Sequence, residues 1–358
     1  MLNGHIIEAV EALAHPAYQE SWDNTGLQVG SRRAECTGVL LCVDVTPAIV
    51  EEAHSRGCSL IISHHPLIFK GLKRLSGNTP VEEAVMAAIR YGITVYSSHT
   101  ALDSARGGVS YTMAGMLGAE FRHVLAPLAD RLICLSVTTD PAGAEAVRMT
   151  MTELGADEQL TRQESCRVTV HSFTAADEDA FTGHDEIDAV KLTATLPAGC
   201  AAAIPSRLSE LNSRIYDYRI TPLRQSDPSL GLGAYAVFEP AITVTELINR
   251  IKQAFGSPVV RTTRIDDPGR PIRRLGLCGG SGGEFIGTAL RSGAEAYLSS
   301  DIRYHDFVDW QNDILLLDIG HFESESCTKQ IFYNAITEKF PNFAVYKSEL
   351  ESNPIKYQ

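Results

Sequence analysis

The stretch GVLLCVDVTPAIVEEAHSRGCSLIISHH, residues 38–65, decides the fold. Its apolar runs around VLLC and LIIS read as buried strands, and TPAIVEEAHSRG between them reads as a helix, which makes a βαβ unit. The rhythm continues through the helix TPVEEAVMAAIRYG (79–92) to the strand ITVYSSHT (93–100). Consecutive right-handed βαβ units predict a largely parallel sheet covered by helices. Ligands collect at the carboxyl ends of such strands, where His64, His65, His99 and Asp103 all fall.

Upstream, MLNGHIIEAVEALA reads as an amphipathic first helix; it has no basic head, apolar run and small-residue cleavage site, so the expected compartment is the cytoplasm. Downstream, between about 129 and 227, the pattern changes to the strand RLICLSVTT, the helix AGAEAVRMTMTELGA, the strands CRVTVHSF and AVKLTATL, the helix AAIPSRLSELNS and the strand YDYRITPL. This βαββαβ order predicts a ferredoxin-like α+β module. The turn formers of QSDPSLGLG (225–233) then lead back to the earlier rhythm: the helix TVTELINRIKQAFG, the strand PIRRLGLCGG, the helix EFIGTALRSG, and the strands AYLSSD and ILLLDIGH. The expected organisation is a split α/β core (1–128 and 228–358) with residues 129–227 inserted.

A chain of 358 residues has ample length for two such units. Apolar residues at 44% and charged residues at 21% fit a soluble globular protein, and no stretch approaches the ~18 consecutive apolar residues of a membrane span. Eight scattered cysteines without a CxxC pair read as reduced, buried thiols. With 31 basic against 44 acidic side chains the net charge is −13, which repels a phosphate backbone and argues against a nucleic-acid partner.

Three strand ends carry the chemistry. His64 and His65 precede Pro66, which stops their strand and allows the two imidazoles to fan apart. The next strand delivers His99 and Asp103, and far downstream ILLLDIG ends at His321 with Glu325 four residues on, a spacing that puts the two on one helical face. Read singly, HHP fits structural histidines and GHFESE fits an acidic helix start. Read together, they fit two borderline divalent metals (zinc, iron, manganese or nickel), with Glu325 the candidate bridge holding ions about 3.5–4 Å apart. Asp301 and His305 of SSDIRYHDF, and His99, are candidates for proton transfer or for support of the ligands. LCGGSGGEF lacks the spacing of phosphate-binding loops, so tight packing is its expected role. SWDNTGLQVG is either a loop over the site or a capped turn.

WDNTGLQVG, ISHHPLIFKGLK, SSHTALD, GLCGGSGGEFI, SSDIRYHDF and LLDIGHFESE, in this order, resemble the GTP cyclohydrolase 1 type 2 homologues, also called NIF-three-like proteins. The resemblance implies a dinuclear site on His64, His65, Asp103, His321 and Glu325, with His99 beside it and not a direct ligand. It also implies a toroidal homohexamer, and an inserted module like the PII signal-transduction fold. Of that module's closing motif, NSRIYDYRITPL keeps the Tyr-Asp and Pro-Leu ends and lacks the His-Pro-Tyr-Glu-Glu-Pro stretch. No nucleotide-specific motif accompanies the family's GTP label. The functions to be weighed are a metal-dependent hydrolase acting on a small-molecule or phosphate-bearing substrate, and a metal-binding regulator or trafficking protein without turnover. A nucleic-acid-binding ring is the third, opposed by the charge.

Overall fold

The computed structural model describes residues 1–128, 132–156, 161–173, 181–223 and 227–357. Arg131, and Gln225 and Ser226 of the turn-rich return, lie outside the described residues. The chain divides into two compact units, Met1–Leu128 with Pro228–Gln358, and Ala129–Asp227.

The larger unit is built on two sheets. In the first, the strands Val39–Cys42, Leu60–Ser63 and Thr94–Ser97 are buried at every residue, the condition that forces continuous apolar runs in place of alternation. They lie parallel, with Val345–Lys347 parallel at one edge and Gly26–Val29 antiparallel at the other. The crossover helices Pro47–Ser55 and Pro80–Tyr91 each start on a threonine whose hydroxyl accepts a backbone N–H (Ile49 N to Thr46, Glu82 N to Thr79), followed by proline at the first helical position. Their apolar faces, Ile49, Val50, Ala84, Val85 and Ala88, pack on Leu40, Cys42, Ile61 and Val95.

The opposite face of this sheet, Val39, Leu41, Leu60, Ile62 and Tyr96, shares one core with Leu275, Leu277, Ala296, Leu298, Leu315 and Leu317 of the second sheet. Truncating a fully buried member such as Ile62 to alanine costs about 2–5 kcal/mol. The second sheet is mixed: Pro271–Ser281, Ala296–Ser300 and Leu315–Asp318 are parallel, whereas Ala234–Thr243, Glu120–His123 and Arg261–Thr262 join antiparallel. The expectation of a mostly parallel sheet therefore describes the centre of each sheet and misses its edges. Pro240 lies inside the long strand Ala234–Thr243, at a shift of register between Val237 and Ile242, and a proline within a run argues on sequence against a central strand.

The second unit runs Leu132–Thr139, helix Ala144–Glu153, Arg162–Phe173, Phe181–Pro197, helix Ile204–Ser209 and Ile215–Leu223. Its antiparallel sheet is ordered Ile215–Leu223, Leu132–Thr139, Phe181–Pro197, Arg162–Phe173. Alternate residues of Leu132–Thr139 are buried, and Ile133, Leu135 and Val137 meet Val147 and Met151 of one helix and Ile204 and Leu208 of the other. All eight cysteines are unpaired. Among the described residues no helix is long and apolar enough to cross a membrane.

Candidate metal centre

The carboxyl ends of the parallel strands carry the reactive side chains of both sheets. From the first come Asp44, two residues past Cys42, then His64 and His65 directly after Ser63, and His99 and Asp103 after Ser97. From the second come Asp301, directly after Ser300, and the short helix His321–Glu325, which follows Leu315–Asp318.

The two sets meet at Glu325, whose two oxygens face different partners. Its Oε2 lies 2.9 Å from His65 Nε2 and 3.1 Å from His321 Nε2, and its Oε1 lies 3.6 Å from His64 Nε2. Asp103 Oδ1 is also 3.6 Å from His64 Nε2. Atoms of ligating type gather in two groups, His64, His65 and His99, and His65, His321 and Glu325, within 4.8 Å of one another in each.

The other ring nitrogen of every histidine is held from outside. His64 Nδ1 meets the Ser98 carbonyl at 3.1 Å, His65 Nδ1 meets Asp44 Oδ1 at 2.8 Å, His99 Nδ1 meets Asp23 Oδ1 at 2.8 Å, and His321 Nδ1 meets Asp301 Oδ2 at 2.6 Å. Such bonds fix the ring plane and place the proton on Nδ1, which frees Nε2 to act as a ligand. His64 Nε2, Asp103 Oδ1 and Glu325 Oε2 are buried without a hydrogen-bond partner. Buried polar atoms are almost always satisfied, so three orphans within this cluster fit cations that complete them. Imidazole and carboxylate together suit a borderline divalent metal.

The electrostatics of the ion-free site agree. Burial opposes the charge on Glu325, but His64, His321 and His65 outweigh it and hold the carboxyl well below its usual range. Asp103 is raised, first by burial and then by Glu325, against the pull of His64. Burial likewise opposes a charged His65, yet Asp44 and Glu325 push it up to about 10. His321 rises to about 9 against its burial, through Glu325 and Asp301.

The surroundings are shaped to this cluster. Gly280 has φ +63°, and a Cβ there would stand 2.2 Å from Glu325 Oε1, so the glycine-rich turn is a packing device that admits the carboxylate. Gly280 N donates to Ser324 Oγ at 2.9 Å, which fixes the helix that carries Glu325. Asp301 has φ +54°, the one positive value among described non-glycine residues, and it carries the His321 partner.

The structure thus brings together His64, His65, His99, Asp103, His321 and Glu325. His305 is exposed on the helix Tyr304–Trp310, its ring 5.5 Å from that of Tyr304, and among the described residues no hydrogen bond or ion pair links it to the cluster. Sequence reasoning left out Asp44, although it follows a strand end as the ligands do. SWDNTGLQVG does lie against the site: Asp23 binds His99 and accepts from Thr100 N at 3.1 Å, Thr100 Oγ1 at 2.6 Å and Thr25 Oγ1 at 3.0 Å. Burial opposes the charge on Asp23, and the bonds to His99 and Thr100 hold it far below the usual carboxylate range.

Known proteins share this architecture. The chain is 28% identical to the GTP cyclohydrolase 1 type 2 homolog of Bacillus subtilis, with 99% of each chain covered. It is 28% identical to the like-named protein of Staphylococcus epidermidis, covering 100% of this chain and 98% of that one. The crystal structure of a Bacillus cereus protein related to NIF3 superposes with a TM-score of 0.85 at 25% identity, covering 100% of this chain and 99% of that one. A Staphylococcus aureus structure at 24% identity, with the same coverage and a TM-score of 0.74, shares the fold. The family model Duf34/NIF3 (NGG1p interacting factor 3) matches residues 1–354, and the chain belongs to that family.

Proposed function

We propose that the cluster binds two divalent metal ions and that the protein is a metal-dependent hydrolase. The observation that carries this reading is the split of the Glu325 carboxylate, Oε1 toward His64 and Oε2 toward His65 and His321. On this reading His64, Asp103 and Glu325 would hold one ion, and His65, His321 and Glu325 would hold the other. Bound divalent ions supply Lewis acidity and bring the pKa of a water near neutrality. The chain supplies the rest. The bonds from Asp44, Asp301 and Ser98 orient the ligand rings. His99, fixed by Asp23 and with its ring centroid 5.3 Å from those of both His64 and His65, is the group positioned to move a proton. His305 makes no hydrogen bond or ion pair with the cluster among the described residues, so the reading gives this role to His99.

The relatives' name carries a GTP cyclohydrolase label; this chain's motifs hold no nucleotide-specific feature, so the substrate class left open is a small hydrolysable molecule, phosphate-bearing ones included. Further proposals rest on the resemblance: the four-stranded unit is a PII-like module, supported by its βαββαβ order, and the chain assembles as a cytoplasmic homohexamer.

The test is elemental analysis of protein purified without added metal, with hydrolysis of a panel of nucleotides and phosphoesters by the same sample. About two metals per chain with turnover that chelators abolish supports the hydrolase. Two metals and no turnover on any substrate makes the chain a metal-handling or regulatory protein. Less than one metal, not restored by addition, removes the dinuclear reading.

A further inference from the structure

Two large aromatic side chains stand exposed beside the centre. Trp22 is 59% and Phe69 48% accessible, against 34%, 23% and 15% for the side chains of His321, His65 and His99. Their centroids are 6.1 Å apart with planes tilted by 58°, and both pack edge-on to His99, at 6.0 Å and 6.4 Å. A lone exposed aromatic needs no explanation, but two held side by side against a reactive histidine do.

The loops that carry them are tied to each other and to the site. Asn24 Nδ2 donates to the Ile68 carbonyl at 2.6 Å, and Ile68 N donates to Gln28 Oε1 at 3.2 Å. Gln28 Nε2 donates back to the Asn24 carbonyl at 2.7 Å, and Asp23 anchors the same loop to Thr100. The pair is therefore a fixed platform, with its ordering cost already met in the free protein.

Charge adds a second feature. Immediately after Phe69 come Lys70, Lys73 and Arg74, all exposed and none in an ion pair among the described residues, in a chain whose net charge is −13. Most other arginines of the chain have a carboxylate partner, as Arg32, Arg56, Arg261 and Arg274 do.

We propose that Trp22 and Phe69 form the binding platform for a flat aromatic ring carrying an anionic group, the ring stacking on the pair and the anion drawn by Lys70, Lys73 and Arg74. The inference rests on the metal reading for the position of the reacting group, which the ring would present beside His99. Stacking on aromatic side chains tolerates many ring systems, so the platform selects a class of ligand and not one molecule.

The test is calorimetric titration of the full-length, metal-loaded protein with phenylphosphonate and with methylphosphonate, which carry the same anion and differ by the ring. Phenylphosphonate is expected to bind about tenfold or more tightly. Trp22→Ala and Phe69→Ala should each shrink that ratio toward one, with methylphosphonate affinity and metal content unchanged. Changing Lys70, Lys73 and Arg74 together to Gln should weaken both phosphonates by the same factor. Equal affinities in the parent protein, no binding of either phosphonate, or a ring preference that survives both alanine variants would overturn the proposal. So would a change of assembly mass in Trp22→Ala without any ring preference, because the rings would then be a contact between copies. Metals without ring preference would leave the dinuclear reading standing, whereas ring preference without metals would leave this platform standing and remove that reading.

Discussion

The two candidate ion positions differ in how their ligands are enclosed. His64, from the first sheet, is fully buried, with its Nδ1 on a backbone carbonyl. His321, from the second, has a third of its side chain exposed and leans on Asp301, which is half exposed and sits at a positive φ. A ligand held by backbone in the core has one orientation available. A ligand held by a surface carboxylate can turn away when that carboxylate does. If two ions bind as proposed, the position at His64 and Asp103 is expected to be the tight one and the position at His65 and His321 the exchangeable one.

The largest effect is expected at the residue both halves share. Glu325→Ala should take the metal content from about two ions per chain to about none, because it removes the carboxylate that faces all three Nε2 atoms. It should not unfold the protein at neutral pH, because imidazoles that lose the carboxylate that favoured their charge can stay neutral. Retention of one ion in this variant, read by elemental analysis, would break the picture of a shared bridge.

A smaller effect separates the halves. Asp301→Asn keeps the shape and exchanges the acceptor of the His321 Nδ1 proton for a weaker one, so the exposed position should lose about 10–100-fold in affinity while the buried position keeps its ion. Chelator competition should show this as one weakened site out of two. Equal weakening of both would mean that the ions bind as one unit and that exposure does not divide them.

Acidity offers a third way to sharpen the contrast. His65 and His321 hold their protons more tightly in the ion-free folded chain than at the ordinary 6.5, up to about 10 and about 9. Their contribution to stability is therefore complete below about pH 6.5 and disappears as the pH rises through 9 and 10. The chelator-treated protein should melt about 5 °C or more lower at pH 10 than at pH 7, whereas the metal-loaded protein, with ions in place of those protons, should not follow. Parallel pH profiles for the two forms would show that the histidines do not exchange protons for metal.

Much of this was legible in the sequence, for identifiable reasons. Strands buried on both faces are apolar along most of their length, so VLLC, LIIS and LLLD stand out, and polar ligands stranded at their ends stand out more. Edges were not legible. Gly26–Val29 is part-exposed and Val345–Lys347 has three residues, and next to the other sheet's edge Ala234–Thr243 hides behind Pro240, so none has the pattern of a central strand. Nor could spacing reveal that two sheets aim their carboxyl ends at one point, since that depends on the core between them. Asp44 and Asp23 were missed as anchors for the same reason: each is an ordinary acid in sequence and acquires its role from a histidine 21 or 76 residues away.

The smallest predicted effect lies in the chain's last turn back to the first sheet. After Val345–Lys347, Glu351 folds beneath Asp44: its Oε1 accepts from Val43 N at 2.6 Å and from Asp44 N at 2.8 Å, and its Oε2 accepts from Lys329 Nζ at 2.6 Å. The carboxylate thus fixes the backbone of the residue that fixes His65. A glutamine cannot accept on both sides, since its amide nitrogen would face either the backbone N–H groups or Lys329. Glu351→Gln should lower the affinity of the His65–His321 position about threefold, less than Asp301→Asn because the effect passes through Asp44 before it reaches the ring. Glu349→Gln is the control, since Glu349 belongs to the same tail but pairs with Arg56 at 2.9 Å in solvent. If both tail variants shift metal affinity alike, the tail only stabilises the fold. If Glu351→Gln alone weakens one position, the C-terminal segment adjusts the half of the centre that exchanges its ion.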